Sequence, residues 1–212
     1  MNYFNIPYKF TDENNANVFC IGSIIRRAKK GDLVLGSGLM FESEKPSPLA
    51  TYRFVRGPRT RKRILELGGD CPEIYCDPAL LLPLFCEESV KKYDLGIVPH
   101  FVDYAFVKKE YPSYRIIDVI NNDPLSVAKD ISECRSIISS SLHGIIAAHS
   151  YNIPAAWIKF SNKIKGDDIK FKDYYESHGL YAELSTIKDP IFTQPSKDIT
   201  PIVDIFKEFE KE

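Results

Sequence analysis

Residues 136 to 160, SIISSSLHGIIAAHSYNIPAAWIKF, set three serines and a histidine where an apolar run gives way to helical periodicity. Residues of these types at such a junction could do acid–base chemistry on an anion. Imidazole is the side chain whose ordinary titration lies closest to physiological pH. The hydroxyls of Ser140 and Ser141 add donors, and the first turn of a helix adds unpaired amides and the positive end of its dipole. If Leu142, Ile145, Ile146 and His149 form the buried stripe, His143 is turned ~100° away from it. His143 is then the candidate acid–base group, and His149 belongs to the core. The same residues also admit a plainer account, in which Ser140 or Ser141 only caps a helix and His143 lies on the surface.

A second group is VRGPRTR, residues 55 to 61. Arg56 ends a strand-like run, and the helix expected from Pro58 points its own free amides the same way. A guanidinium there could clamp a carboxylate or phosphate with two parallel bonds. Arg59, Arg61, Lys62 and Arg63 fall around the whole helix and read as a solvated surface. Three further strand ends carry GSG (Gly36, Ser37, Gly38), CDP (residues 76 to 78) and PHFVD (residues 99 to 103). Gly36 and Gly38 permit close approach of backbone to a ligand, but they lack the spacing of a dinucleotide-binding turn. His100 is a site candidate, whereas Asp77 shapes a turn and Cys134 is structural.

Positioning such groups requires strand-to-helix transitions, and the 212-residue chain is full of them. Strands are expected at 18 to 21, 32 to 38, 50 to 56, 73 to 81, 95 to 99, 114 to 120, 136 to 140 and 155 to 160. Helices are expected between most of them, with Asn122 or Asp123 capping one that begins at Pro124. Strands alternating with helices imply an α/β fold with two parallel-sheet units. The division expected is 1–90, 91–190 and a C-terminal amphipathic helix over 191–212, with residues 1 to 16 polar and irregular. In open parallel sheets, ligands bind beyond the carboxyl ends of the strands.

Composition narrows the function. The chain is 44% hydrophobic and 27% charged with a formal net charge of -1, which argues against a nucleic-acid-binding surface. Its longest apolar runs fall short of the ~20 residues of a membrane span, and no secretory leader is seen. Five cysteines without CxxC spacing point to free thiols in a reducing, cytoplasmic setting rather than to disulfides or a structural zinc site. No metal site and no cofactor are expected.

The stretches RGPRTR, CPEIYCDPALLLP, GIVPHFVD and ISSSLHGIIAAHSYNIPAAWIKFSNKIKGDDIKFKDYY, taken in order, resemble the polysaccharide pyruvyltransferase family, in particular bacterial exopolysaccharide ketal-pyruvate transferases. The resemblance covers roughly residues 18 to 180. It implies a glycosyltransferase-B-like pair of Rossmann-type units facing across a cleft. It also implies transfer of pyruvate from phosphoenolpyruvate to two hydroxyls of a hexose, forming a cyclic ketal in a surface or exopolysaccharide repeat unit. His143 in SLHG matches the family's catalytic histidine, Arg56 its donor-binding arginine, and Lys163 a basic residue downstream of the histidine. Ser140, Ser141 and His100 complete the expected donor site, with Gly36, Ser37 and Gly38 on the acceptor side. The partners implied are phosphoenolpyruvate and a saccharide acceptor, free or lipid-linked, and the setting is cytoplasmic or peripheral at the inner face of the membrane. Two departures stand out: the family's Asn-x-Gly-Asp segment before the first strand is not seen, and Ser141 stands where some members carry arginine. The first implies a shortened N-terminal unit. Two alternatives share the architecture: a nucleotide-sugar glycosyltransferase, and a catalytically degenerate sugar- or anion-binding homologue.

Overall fold

A computed structural model describes residues 17–121, 123–196 and 198–209. The polar N-terminal stretch and the alternative cap at Asn122 lie outside the described residues. The chain forms two compact units, each α/β with a parallel sheet. Of the described residues, the first holds those up to Pro78, 166–181 and those from 198 onward, and the second holds those of 79–165 and 182–196.

In the first unit, β1 (Val18–Phe19), β2 (Leu33–Leu35) and β3 (Thr51–Phe54) lie side by side in that order, all parallel. Helix α1 (Pro58–Glu66) follows β3, with Pro58 in its first turn, where the missing N–H costs no bond. Val34, Tyr52, Val55, Ile64 and Leu39 pack into one buried cluster. The strand expected at 73 to 81 is reduced to one parallel bridge, Val55 to Tyr75. The chain then turns into a 3-10 helix over Pro78–Leu84, because Pro78 and Pro83 cannot donate to a ladder. The segment between β1 and β2, where the alternation suggests a helix, holds only a 3-10 turn, Ile25–Arg27.

The second unit opens with β4 (Tyr93–Val98), then α2 (Tyr104–Glu110), β5 (Arg115–Ile116), α3 (Pro124–Ser132), β6 (Cys134–Ser139), α4 (Leu142–Ser150) and β7 (Ala155–Trp157). The chain returns to the first unit for α5 (Ile169–Glu176), crosses back for β8 (Phe192–Thr193) and ends in the first with α6 (Thr200–Glu208). The five-stranded sheet has the order β5-β4-β6-β7-β8, parallel except for β8. Asp123 caps α3 by accepting the Leu125 N–H at 3.0 Å. From β4 the chain steps outward to β5, then returns to the other side of β4 for β6. The sheet therefore changes winding direction between the carboxyl ends of β4 and β6, the place where a crevice opens in such sheets.

Helix α4 is buried over almost its whole circumference, Leu142 and Gly144 to His149 all being enclosed, with His143 half-buried. A Cβ on Gly144 would stand 2.5 Å from Ser139 Oγ and 2.6 Å from Val98 Cγ1, so glycine is what lets α4 sit directly on the ends of β4 and β6. His149 is a core residue, 3% exposed, its Nε2 lying 3.0 Å from the Thr193 carbonyl of β8. Burial pushes its pKa down to about 4, against the smaller opposing pull of that carbonyl.

The first unit is tied together by a buried ion pair. Arg56 Nη2 lies 3.2 Å from Asp173 Oδ2, and both side chains are wholly enclosed. The Asp173 carboxylate also accepts the Thr60 N–H at 2.9 Å and the Thr60 hydroxyl at 2.6 Å, joining α5 to the first turn of α1. All five cysteines are free thiols, and burial raises Cys20 and Cys134 to about 11 and Cys71 to about 12. Among the described residues no helix is long and apolar enough to cross a membrane.

Two stability measurements follow from this packing. Removing one member of an enclosed ion pair leaves the other charge stranded, so Asp173→Ala should cost about 3–5 kcal/mol in denaturant unfolding. Arg56→Lys should also lose stability, because a point charge cannot replace the planar fork. For His149 the folded pKa lies below the ordinary 6.5, so the unfolded chain binds the extra proton. Stability should therefore fall as pH drops from 6.5 towards 4, by on the order of 3 kcal/mol. Thermal unfolding across that window checks this, with a flatter pH slope expected for His149→Gln.

Candidate active site

The winding change in the second unit brings one cluster of candidates together. The Val98 carbonyl at the end of β4 accepts the Ser140 N–H at 3.2 Å and the Ser139 hydroxyl at 2.8 Å. Ser139 Oγ in turn accepts the Ser141 N–H at 3.0 Å. Ser140 is fully enclosed, and its Oγ accepts the His100 N–H at 2.9 Å. The serine run thus stitches the ends of β4 and β6 together. Ser141 sits at the N-cap of α4 without a side-chain capping bond, and His143 follows in the first turn.

His100 caps the 3-10 turn Phe101–Asp103, its Nδ1 accepting the Val102 N–H in a long bond of 3.4 Å. An accepting Nδ1 places the neutral ring's proton on Nε2. The ring lies against Phe101, with centroids 4.5 Å apart. Lys163 is exposed on the loop that follows β7, and its N–H donates to Ser161 Oγ at 3.1 Å. The Ser161 hydroxyl donates to Asp103 Oδ1 at 2.5 Å. The Lys163 loop is thereby linked to the turn that starts at His100. Asp103 and Ser161 were not foreseen as site residues. The only sequence signal was Asp103's place at the end of PHFVD, and nothing marked Ser161.

The candidates of the first unit are placed differently. The Arg56 guanidinium is 0% exposed, donates to Ser23 Oγ at 2.8 Å and to the Leu39 carbonyl at 2.7 Å, and pairs with Asp173. Its fork is therefore engaged by the protein itself. The N-terminus of α1, expected to be open to an anion, holds the Asp173 carboxylate. The neighbouring arginines also have internal acceptors: Arg59 is bidentate to Glu176, Arg61 donates to the Cys71 carbonyl and Arg63 to the Glu44 carbonyl. Asp173 lies in IKFKDYYE, where Ile169, Asp173 and Glu176 share one helical face, a pattern that marks an α1-facing stripe only once the partner is known.

Gly36, Ser37 and Gly38 are all buried. A Cβ on Gly36 would lie 2.4 Å from Pro78 Cδ, and one on Gly38 would lie 2.5 Å from Arg56 Cζ. What approaches these glycines closely is the protein's own Pro78 and Arg56. The Ser37 hydroxyl donates to the Gly22 carbonyl at 2.8 Å. A cavity of about 340 Å³ does lie in this unit, lined by Leu39, Pro58, Arg59, Lys62 and Ile169 among others. Its guanidinium and carboxylate groups pair with one another, Arg59 with Glu176 and Arg63 with Glu66. Among the described residues no cluster of three His, Cys, Asp or Glu side chains is placed to hold a metal ion.

Comparison with known proteins bears on what this arrangement belongs to. An uncharacterised protein of Acanthamoeba polyphaga mimivirus is 35% identical over 170 residues, covering 76% of this chain and 59% of its own length. The succinoglycan biosynthesis protein ExoV of Rhizobium meliloti is 28% identical over 179 residues, covering 76% of this chain and 53% of its own length. The chain thus spans little more than half the length of these relatives. No solved structure matches it significantly. The family model "Polysaccharide pyruvyl transferase" matches residues 15–162, a span that holds the serine stitch, His100 and His143. The chain belongs to the polysaccharide pyruvyl transferase family.

Proposed function

We propose that the protein takes part in transferring pyruvate from phosphoenolpyruvate to two hydroxyls of a hexose in a surface or exopolysaccharide repeat unit, with His143 as the acid–base residue. The observation that carries the reading is the position of His143. It stands in the first turn of α4, beyond the point where the sheet changes winding direction, with His100 tied to the same edge through Ser140. Membership of the family supports the chemistry. On this reading the two units are the two Rossmann-type halves of a glycosyltransferase-B-like enzyme.

Ketal formation attaches two sugar oxygens to C2 of the enolpyruvyl group. The two hydroxyls lose their protons, one of which goes to the methylene carbon and the other to the phosphate that leaves as the C2–O bond breaks. An imidazole in reach of these atoms can take a hydroxyl proton or deliver one to the methylene. The amides at the start of α4 and the Lys163 ammonium offer positive potential to the phosphate or carboxylate of the donor. The hydroxyl of Ser141, unused in capping, is a further donor to that anion. Ser140 takes a supporting part, holding His100 in place, and Arg56 shapes the Gly36–Gly38 turn from behind instead of reaching the donor.

The test is phosphate release from phosphoenolpyruvate in the presence of a panel of saccharide acceptors. His143→Ala should lower the rate by ~10²–10⁴-fold, the usual worth of one positioned acid–base group. Its Tm should change little, since the side chain is only half-buried. A His143→Ala protein with undiminished turnover would contradict the assignment.

A further inference from the structure

We propose that Asp103 is a positioning residue which, through Ser161, latches the loop carrying Lys163 to the turn carrying His100. As far as the ligand is concerned, this rests on the donor-site reading above. Asp103 is 1% exposed. Its Oδ1 accepts the Ser161 hydroxyl at 2.5 Å, and its Oδ2 has no hydrogen-bond partner among the described residues. Ser161 is the donor in this bond, its hydroxyl proton directed at Oδ1. That leaves the lone pairs of Ser161 Oγ to accept the Lys163 N–H at 3.1 Å, as observed. At the other end, the Asp103 N–H donates to the His100 carbonyl at 2.8 Å, and the His100 N–H donates to Ser140 Oγ at 2.9 Å.

A hydrogen-bonded path thus runs from Ser140 through His100, Asp103 and Ser161 to the backbone of Lys163. It joins three segments that are far apart in sequence and that carry Ser140, His100 and Lys163, all candidates for the donor site. Enclosing a carboxylate with one bare oxygen costs stability, and a carboxamide or apolar residue would pack there at lower cost. Local rules are broken in this way where a group serves a site. Through Ser161, Asp103 ties down the backbone of the loop that follows. The loop bearing the exposed Lys163 is thereby held through its backbone, with no bond to the ammonium among the described residues, so the ammonium stays available to an anion.

The experiment compares wild type, Ser161→Ala, Ser161→Thr, Lys163→Ala and the Ser161→Ala/Lys163→Ala double variant by two readouts. The first is amide hydrogen exchange over residues 161–165, which needs no ligand. Ser161→Ala should speed exchange there by about tenfold, the loss of one hydrogen bond, and Ser161→Thr, which keeps the hydroxyl, should restore protection. The second is calorimetric affinity for phosphoenolpyruvate. Ser161→Ala should weaken it about as much as Lys163→Ala, and the double variant should be no weaker than Lys163→Ala alone. Unchanged exchange in Ser161→Ala overturns the latch. Losses of affinity that add in the double variant overturn its positioning of Lys163. Faster exchange in Ser161→Ala with no binding to wild type would uphold the latch while refuting phosphoenolpyruvate as the ligand.

Discussion

The carboxylate of Asp173 organises the first unit and, by doing so, directs attention to the second. It holds the N-terminus of α1 through Thr60 and neutralises the enclosed Arg56 guanidinium. A helix N-terminus attracts one anion, and here the chain supplies its own. The remaining bonds of Arg56 run to Ser23 and Leu39, so β3, the turn after β2 and helix α5 meet on one side chain. Gly38 is small because that guanidinium lies against it. A motif that looks like an anion clamp in sequence is, in this unit, a fastening.

The second unit uses similar residue types to opposite effect. Its stitch is neutral: the Ser139 hydroxyl and the Ser140 amide converge on the Val98 carbonyl, and Gly144 lets α4 close down on the strand ends. The first turn of α4 receives no side-chain cap from Ser141. His143 stands beside it, while the chemically equivalent His149, further along the same helix, is enclosed and pushed to a pKa of about 4. The same side chain therefore serves as a core residue or an acid–base candidate according to its position on a single helix.

Much of this was legible in the sequence. Alternating apolar runs and amphipathic segments were enough for an α/β chain with parallel sheets, and Pro58 and Asp123–Pro124 mark helix starts where the structure has them. His149 was separable from His143 by helical spacing alone. The fate of Arg56 was not, because whether a guanidinium faces a ligand or a carboxylate depends on Asp173, 117 positions away in a helix that returns from beyond the second unit. A linear division at residue 90 misses that return, since α5 carries no local mark of the unit it joins. Tyr75 and the 3-10 helix after it show the same limit: β-branched and aromatic residues favour a strand, but the prolines at 78 and 83 end it. Asp103 and Ser161 are ordinary turn residues in sequence, and only their mutual contact gives them meaning.

If the donor anion meets the strand ends of the second unit, while the first unit's helix N-terminus is already filled, amide chemical-shift mapping during titration with phosphoenolpyruvate should show shifts concentrated at His100, Ser140 to Gly144 and Ser161 to Lys163, with Gly57 to Arg61 unmoved. Shifts centred on Gly57 to Arg61, with the second-unit amides silent, would contradict that placement of the donor.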